Sequence, residues 1–219
     1  MPRTEPETET SWDEHDLHAW EMLAPLRGGY VPWSSAAMRP SGLVAVLNEV
    51  ALADPELVVE CGAGVSTLFL ARLLRQRGHG RLVSVEHDER WAGWVARALA
   101  AEGLGDRASV VLAPLAASGW YERETVDAAV GAGPVGLLLV DGPPACAPEL
   151  AHARYPALPH LAARLAPDAV VVLDDAWRAG ERDVVRRWEA ESDLRFVLRL
   201  DRGGVAVGRV PGDGTAFDV

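Results

Sequence analysis

The sequence predicts an α/β fold: a doubly wound, mostly parallel, seven-stranded sheet that closes in a C-terminal antiparallel hairpin. Three observations predict it. Short continuous apolar runs recur along the chain, the pattern of strands covered by helices on both faces. Stretches with helical periodicity separate them. The last two runs, 194–200 and 204–210, are joined by Asp201-Arg202-Gly203, a connection too short for a parallel crossover.

The elements follow in order. Residues 1–16, rich in Glu, Thr and Asp, form a flexible acidic leader. Residues 17–219 form a single domain. Its first part, 17–40, places Trp20, Tyr30, Trp33 and Met38 among glycines and prolines, and is expected to pack over a cofactor or substrate cleft. Ser41 can cap a helix whose Leu43, Val46, Leu47 and Val50 share one face. Strands are expected at 57–60, 82–86, 109–112, 137–141 and 169–174. Helices are expected at 66–77, 89–102, about 147–165, and 180–191. Trp91, Trp94 and Trp188 lie among apolar helix residues and are expected in the core.

Composition narrows the function. A chain of 219 residues fits one domain that buries roughly 70% of its unfolded surface. The net charge of −11 and the lack of a basic patch argue against nucleic acid and anionic membranes as partners. The chain contains no lysine, which excludes Schiff-base chemistry, a phosphate-loop lysine and a lysine base. Cys61 and Cys146 are too few for a disulfide framework or a cysteine-rich metal site. Neither a signal-like start nor an apolar run of about 18 residues is present, so a cytoplasmic protein is expected. A homodimer stays open as an assembly, because nothing in the residues fixes the oligomeric state.

The run Glu60-Cys61-Gly62-Ala63-Gly64-Val65-Ser66-Thr67 falls at a strand-to-helix turn. Glycines there admit a ligand close to the backbone, and the helix start offers free N–H groups. A dinucleotide site wants a third glycine where Thr67 stands. Glu60 disfavours a pyrophosphate but can pair with a cationic amine. Glu86 closes the next strand, where a carboxylate can accept from both hydroxyls of a ribose.

On these residues the chain resembles the class I S-adenosyl-L-methionine (SAM)-dependent methyltransferases, over roughly 41–210. Val85-Glu86-His87-Asp88, Asp141-Gly142-Pro143 and Leu173-Asp174-Asp175-Ala176 look like the small-molecule O-methyltransferase branch. The resemblance implies a Rossmann-like fold and SAM as cofactor. It implies that Glu60, Gly62, Gly64, Ser66 and Thr67 hold the methionine part and Glu86, with His87 beside it, the ribose. Ala113 and Pro114 would flank the adenine.

Asp141 ends the fourth strand and Asp174-Asp175 the fifth, on neighbouring strands about 4.8 Å apart. Three converging carboxylates repel unless a cation neutralises them, and all-oxygen donors suit Mg²⁺, Ca²⁺ or Mn²⁺. The cation-dependent O-methyltransferases carry acids at these three places. The pair converges only if the chain leaves strand geometry there. In the metal-free alternative, Asp141 contacts SAM or substrate and Asp175 caps the next helix.

Those families often supply a base shortly after the fourth-strand acid, where this chain has Pro143 and Pro144. His87, His152 and His160 are alternatives, His152 lying nearest in sequence. Arg154, Trp177 and Arg178, with Tyr30 and Trp33 if the leading segment folds over, lie where substrate would enter. The expected activity is methyl transfer to a small-molecule hydroxyl with a divalent cation. The other readings are metal-independent N- or C-methylation, a nicotinamide-dependent oxidoreductase, and a non-catalytic SAM-binding module.

Overall fold

The computed structural model describes residues 12–199 and 204–211. Its sheet is made of β1 (Leu57–Cys61), β2 (Arg81–Glu86), β3 (Ala108–Leu112), β4 (Val135–Val140), β5 (Leu165–Leu173), β6 (Phe196–Leu198) and β7 (Ala206–Arg209). The order is β3-β2-β1-β4-β5-β7-β6, with β7 antiparallel to both β5 and β6. The hairpin is therefore as expected, and its second strand is the one inserted against β5. The tripeptide 201–203 lies outside the described residues.

The helices are α1 (Glu14–Met22), α2 (Pro40–Ala53), α3 (Val65–Arg77), α4 (Glu89–Ala101), α5 (Arg123–Val130), α6 (Ala157–Leu161) and α7 (Ala179–Glu191). Alternate residues of each strand feed two cores. Val58, Leu82, Leu137, Leu139, Val170 and Val172 pack with residues of α2, α3 and α4. Val59, Cys61, Val83, Val85, Leu138 and Val171 pack with residues of α5, α6 and α7. Burial of both faces accounts for the unbroken apolar runs.

Several expectations change. Of the acidic leader, residues 1–11 lie outside the described residues, but Asp13 caps α1 and Asp16 is wholly buried. Asp16 accepts from the Ser41 main-chain N–H (3.2 Å) and hydroxyl (2.5 Å) and pairs with Arg39. Ser41 thus ties α1 to α2, and Arg39, not Ser41, is the residue before α2. The helix expected over 147–165 is broken into short turns, with only Ala157–Leu161 α-helical. Pro148, Pro156 and Pro159 each remove a backbone donor there. Helix α5 is an element that the sequence reading did not place.

The turn of the sheet that matters lies between β1 and β4. The chain runs from β1 outward to β2 and β3, then returns to β4 on the other side. Crossovers leave such a switch point open at the carboxyl edge, where α/β sheets take their ligands.

Candidate functional site

The glycine loop sits on that crevice. Gly62 has φ +92°, and its main-chain N–H continues the ladder to the Val85 carbonyl (2.9 Å). A Cβ on Gly62 would meet the Gly142 nitrogen at 2.9 Å, so only glycine lets the loops after β1 and β4 cross. Gly64 differs. Its backbone is extended, and a Cβ there meets only Trp91 Nε1, at 4.0 Å. Gly64 is required by neither strain nor packing, so its lack of a side chain keeps the adjoining cavity open.

Glu60 lies beneath this loop. Its carboxylate is fully buried and accepts from the hydroxyls of Ser66 (2.5 Å), Thr67 (2.6 Å) and Ser84. Burial pushes its pKa up to about 7, against the lowering effect of those three donors. Thr67 Oγ1 in turn accepts from the Gly64 N–H at 2.8 Å. Glu60 and Thr67 therefore shape the loop from below, while Ser66 reaches the cavity. The absence of a third glycine is explained by this Thr67 bridge.

Glu86 faces the cavity from the end of β2. Oε2 accepts from the Ala63 N–H at 3.1 Å, and Oε1 from the N–H groups of His87 (2.7 Å) and Asp88 (2.8 Å). The carboxylate is thereby fixed in orientation, with lone-pair capacity left on Oε2 for a ligand hydroxyl. His87 Nδ1 lies 2.8 Å from Glu86 Oε1.

The cavity measures about 900 Å³, within the range of small-molecule sites. It runs from Gly62–Ser66 and Glu86–Trp91 to Asp141, Arg154, Asp175 and Arg178. Of the leading segment, Pro32, Ser34 and Ala36–Met38 line it. Tyr30 does not, being 92% exposed. Trp33 does not either: it packs edge-on against Trp12, Trp20 and Phe69, an aromatic anchor that holds the segment in place. Ala113 is buried, its N–H bonded to the Glu86 carbonyl, and Pro114 is exposed; neither lines the cavity.

Three large aromatic side chains of the lining escaped the sequence reading. Trp91 and Trp94 stack with ring centroids 5.0 Å apart and form one wall, whereas Trp188 is core as expected. The available signal was their i, i+3 spacing directly after Glu86-His87-Asp88, which puts both rings on one helix face. Tyr121 reaches the cavity as well, with its hydroxyl under Gly142; a Cβ on Gly142 would stand 2.5 Å from it. The connection between β3 and α5 brings it there, with Tyr121 bridged to Leu115.

At the far end the three aspartates converge as expected. Donor oxygens of Asp141, Asp174 and Asp175 lie within 4.8 Å of one another. Strands β4 and β5 stop one residue short of the acids, and Asp175 takes a left-handed backbone, φ +58°. That departure from strand geometry turns Asp175 toward Asp141. Burial first, and then Asp174, holds the Asp141 carboxyl well above the usual range, with Arg154 opposing. Burial and Asp175 raise Asp174 likewise.

Arg154 lies among these acids, only 4% exposed. Its Nη2 donates to the Asp141 main-chain oxygen (2.7 Å) and Oδ1 (3.4 Å). Nη1 donates to the Asp174 main-chain oxygen (3.2 Å) and to Asp175 Oδ2 (3.1 Å), and Nε to the Pro143 oxygen (3.2 Å). Arg178 Nη1 stands 2.8 Å from Asp175 Oδ2. Trp177 is half-buried under Arg178 and does not line the cavity. His152 is half exposed and pairs with Asp183 at 2.7 Å on the surface, so the structure takes it away from Asp141. His160 is bonded between Trp120 and Asp127.

Fold and site together define a SAM-dependent methyltransferase on a doubly wound sheet. A family model described as a methyltransferase domain matches residues 59–176, and the chain belongs to that family. A search of curated proteins finds no match to the sequence. Among solved structures, the chain is similar to the O-methyltransferase TomG of Streptomyces achromogenes, involved in tomaymycin synthesis and bound to SAM. Identity is 22%, coverage 92% of each chain, and the TM-score 0.58. It is also similar to the SAH-bound methyltransferase PaMTH1 of Podospora anserina (13% identity, 93% and 91% covered, TM-score 0.65). An SAH-bound O-methyltransferase of Bacillus cereus aligns at 17% identity over 93% and 94% of the chains, TM-score 0.60. No helix among the described residues is long and apolar enough to cross a membrane.

Proposed function

We propose that this chain transfers the methyl group of SAM to a hydroxyl oxygen of a small molecule held between the glycine loop and the Asp141–Asp175 end of the cavity. One observation carries the reading. Glu86, the loop N–H groups and Asp141 all open on a single cavity, so a nucleoside at one end places its sulfonium toward carboxylates at the other. That TomG and the Bacillus cereus enzyme are O-methyltransferases supports an oxygen acceptor here.

The chemistry asks little beyond placement. The substrate oxygen attacks the methyl carbon in line with the departing sulfur, giving a methyl ether, S-adenosylhomocysteine and one proton. Alignment and exclusion of water lower the barrier. Glu86 fixes the ribose, and the loop above Glu60 fixes the methionine end. Pro32, Ser34 and Ala36–Met38 line the cavity from the leading segment, and the Trp91–Trp94 wall offers a flat apolar face to a planar partner. Asp141 lines the cavity beside Asp175, and at the end of β4 it is the carboxylate placed to take the hydroxyl proton.

A divalent ion is the cofactor that the aspartate triad suggests, and the donor set is right for Mg²⁺. Two of the triad's three carboxylates already have another partner: Asp141 and Asp175 pair with the Arg154 guanidinium. No step is therefore routed through a metal. The test is transfer of labelled methyl from SAM to a panel of phenolic, catecholic and sugar-hydroxyl acceptors. Labelled ether from one acceptor class is expected; label appearing only on amine or carbon acceptors contradicts the oxygen assignment.

A further inference from the structure

We propose that Arg154 is the resident cation of the Asp141–Asp174–Asp175 cluster and stands in for a divalent metal, so that methyl transfer by this chain needs none. The inference rests on the methyl-transfer reading above, and it concerns which cation the acidic end of that cavity holds.

The placement is built into the fold. The guanidinium plugs the carboxyl ends of β4 and β5 together, since two of its five acceptors are the main-chain oxygens of Asp141 and Asp174. A third, the Pro143 oxygen, comes from the loop just after Asp141. The two remaining bonds go to Asp141 Oδ1 and Asp175 Oδ2, side-chain oxygens of two of the three aspartates. All three guanidinium nitrogens are engaged, in the planar fork that suits arginine and not lysine to such a site.

A second cation faces repulsion here. Bound to the same carboxylates at 2.0–2.6 Å, it would lie within several ångströms of the buried guanidinium, where like charges are poorly screened. Glu181 is nearly buried and lies 3.7 Å from Arg154 Nη1, so the arginine is held from a third side. The Asp174 oxygen without a hydrogen-bond partner is Oδ1, which lies against Gly42 at the start of α2. Releasing Arg154 would leave a charged group unpaired in a site that is 96% shielded from water, given its 4% exposure.

The test is titration of Mn²⁺ into the purified, chelator-treated protein, followed by the electron paramagnetic resonance signal of the free ion. The wild-type chain is expected to leave that signal at the free-ion level at equimolar protein. Uptake of one Mn²⁺ per chain that Asp141→Asn abolishes would overturn the proposal. Arg154→Ala, once shown by circular dichroism to be folded, is expected to take up one Mn²⁺; a folded variant that takes up none also overturns it. If that variant does not fold, the wild-type titration decides. Methyl transfer unchanged by EDTA is expected in parallel, and transfer abolished by EDTA and restored by Mg²⁺ contradicts the proposal. Failure of all acceptors would count against the methyl-transfer reading, while the Mn²⁺ titration still judges Arg154 alone.

Discussion

Glu86 Oε2 accepts the main-chain N–H of Ala63, at 3.1 Å, so the acid that ends β2 and the glycine loop that follows β1 form one rigid unit. Each half is a weak signal alone. Joined, they place a fixed carboxylate and a glycine-opened backbone on the same wall of one cavity.

Beneath that wall Glu60 is a titrating strut. Its folded pKa of about 7 lies above the unfolded value of 4.5, so the folded state holds a proton that the unfolded state has lost between these values. Stability contributed by that proton is full below about pH 4.5 and is lost as pH rises to about 7, a change on the order of 3 kcal/mol. Thermal unfolding between pH 4.5 and 8 checks this: Glu60→Gln is expected to flatten the decline, and an unchanged slope would contradict it.

The two glycines are expected to behave differently. Gly62→Ala forces a Cβ onto the Gly142 backbone at a positive φ and should cost about 2–4 kcal/mol or prevent folding. Gly64→Ala should fold with a near-native melting temperature and bind SAM more weakly, because its Cβ enters the cavity. Melting curves with and without SAM separate the two.

Asp141→Asn should lower kcat by 10²-fold or more with little change in SAM affinity, as for a lost general base. His152→Ala should leave kcat within twofold, since the imidazole pairs with Asp183 away from the cavity. Single-turnover transfer with saturating SAM measures both.

Trp33→Ala should lower stability by about 3 kcal/mol, the loss of a ring packed against Trp12, Trp20 and Phe69. Tyr30→Ala should be neutral within about 0.5 kcal/mol, given its exposure. Denaturant unfolding of the two variants checks the contrast.

These contrasts mark where the sequence was legible. The apolar runs and the glycine loop made β1 to β5 and the acids at their ends readable, because burial on both faces writes itself into local composition. The convergence of Asp141 with Asp175 was readable only conditionally, and the left-handed Asp175 supplies the condition. Tyr30 and Trp33 were expected at the cleft on condition that the leading segment folds over it; the segment does reach the cavity, but one of the two points to water and the other closes an aromatic cluster. Trp91 and Trp94 look apolar from their helix neighbours, yet their shared face meets the cavity. Arg154 was visible only as a residue near the substrate entrance. Its role depends on how the proline-rich stretch after β4 folds back, which no local periodicity records.

Calorimetric titration of ligand-free protein with S-adenosylhomocysteine, run on the wild type and on Glu86→Ala, bears most directly on the cofactor site. One molecule bound per chain is predicted, with affinity weakened by about 1–3 kcal/mol in the variant, as when ligand hydroxyls lose a charged acceptor. No binding to the wild type, or equal affinity in both proteins, would contradict the account.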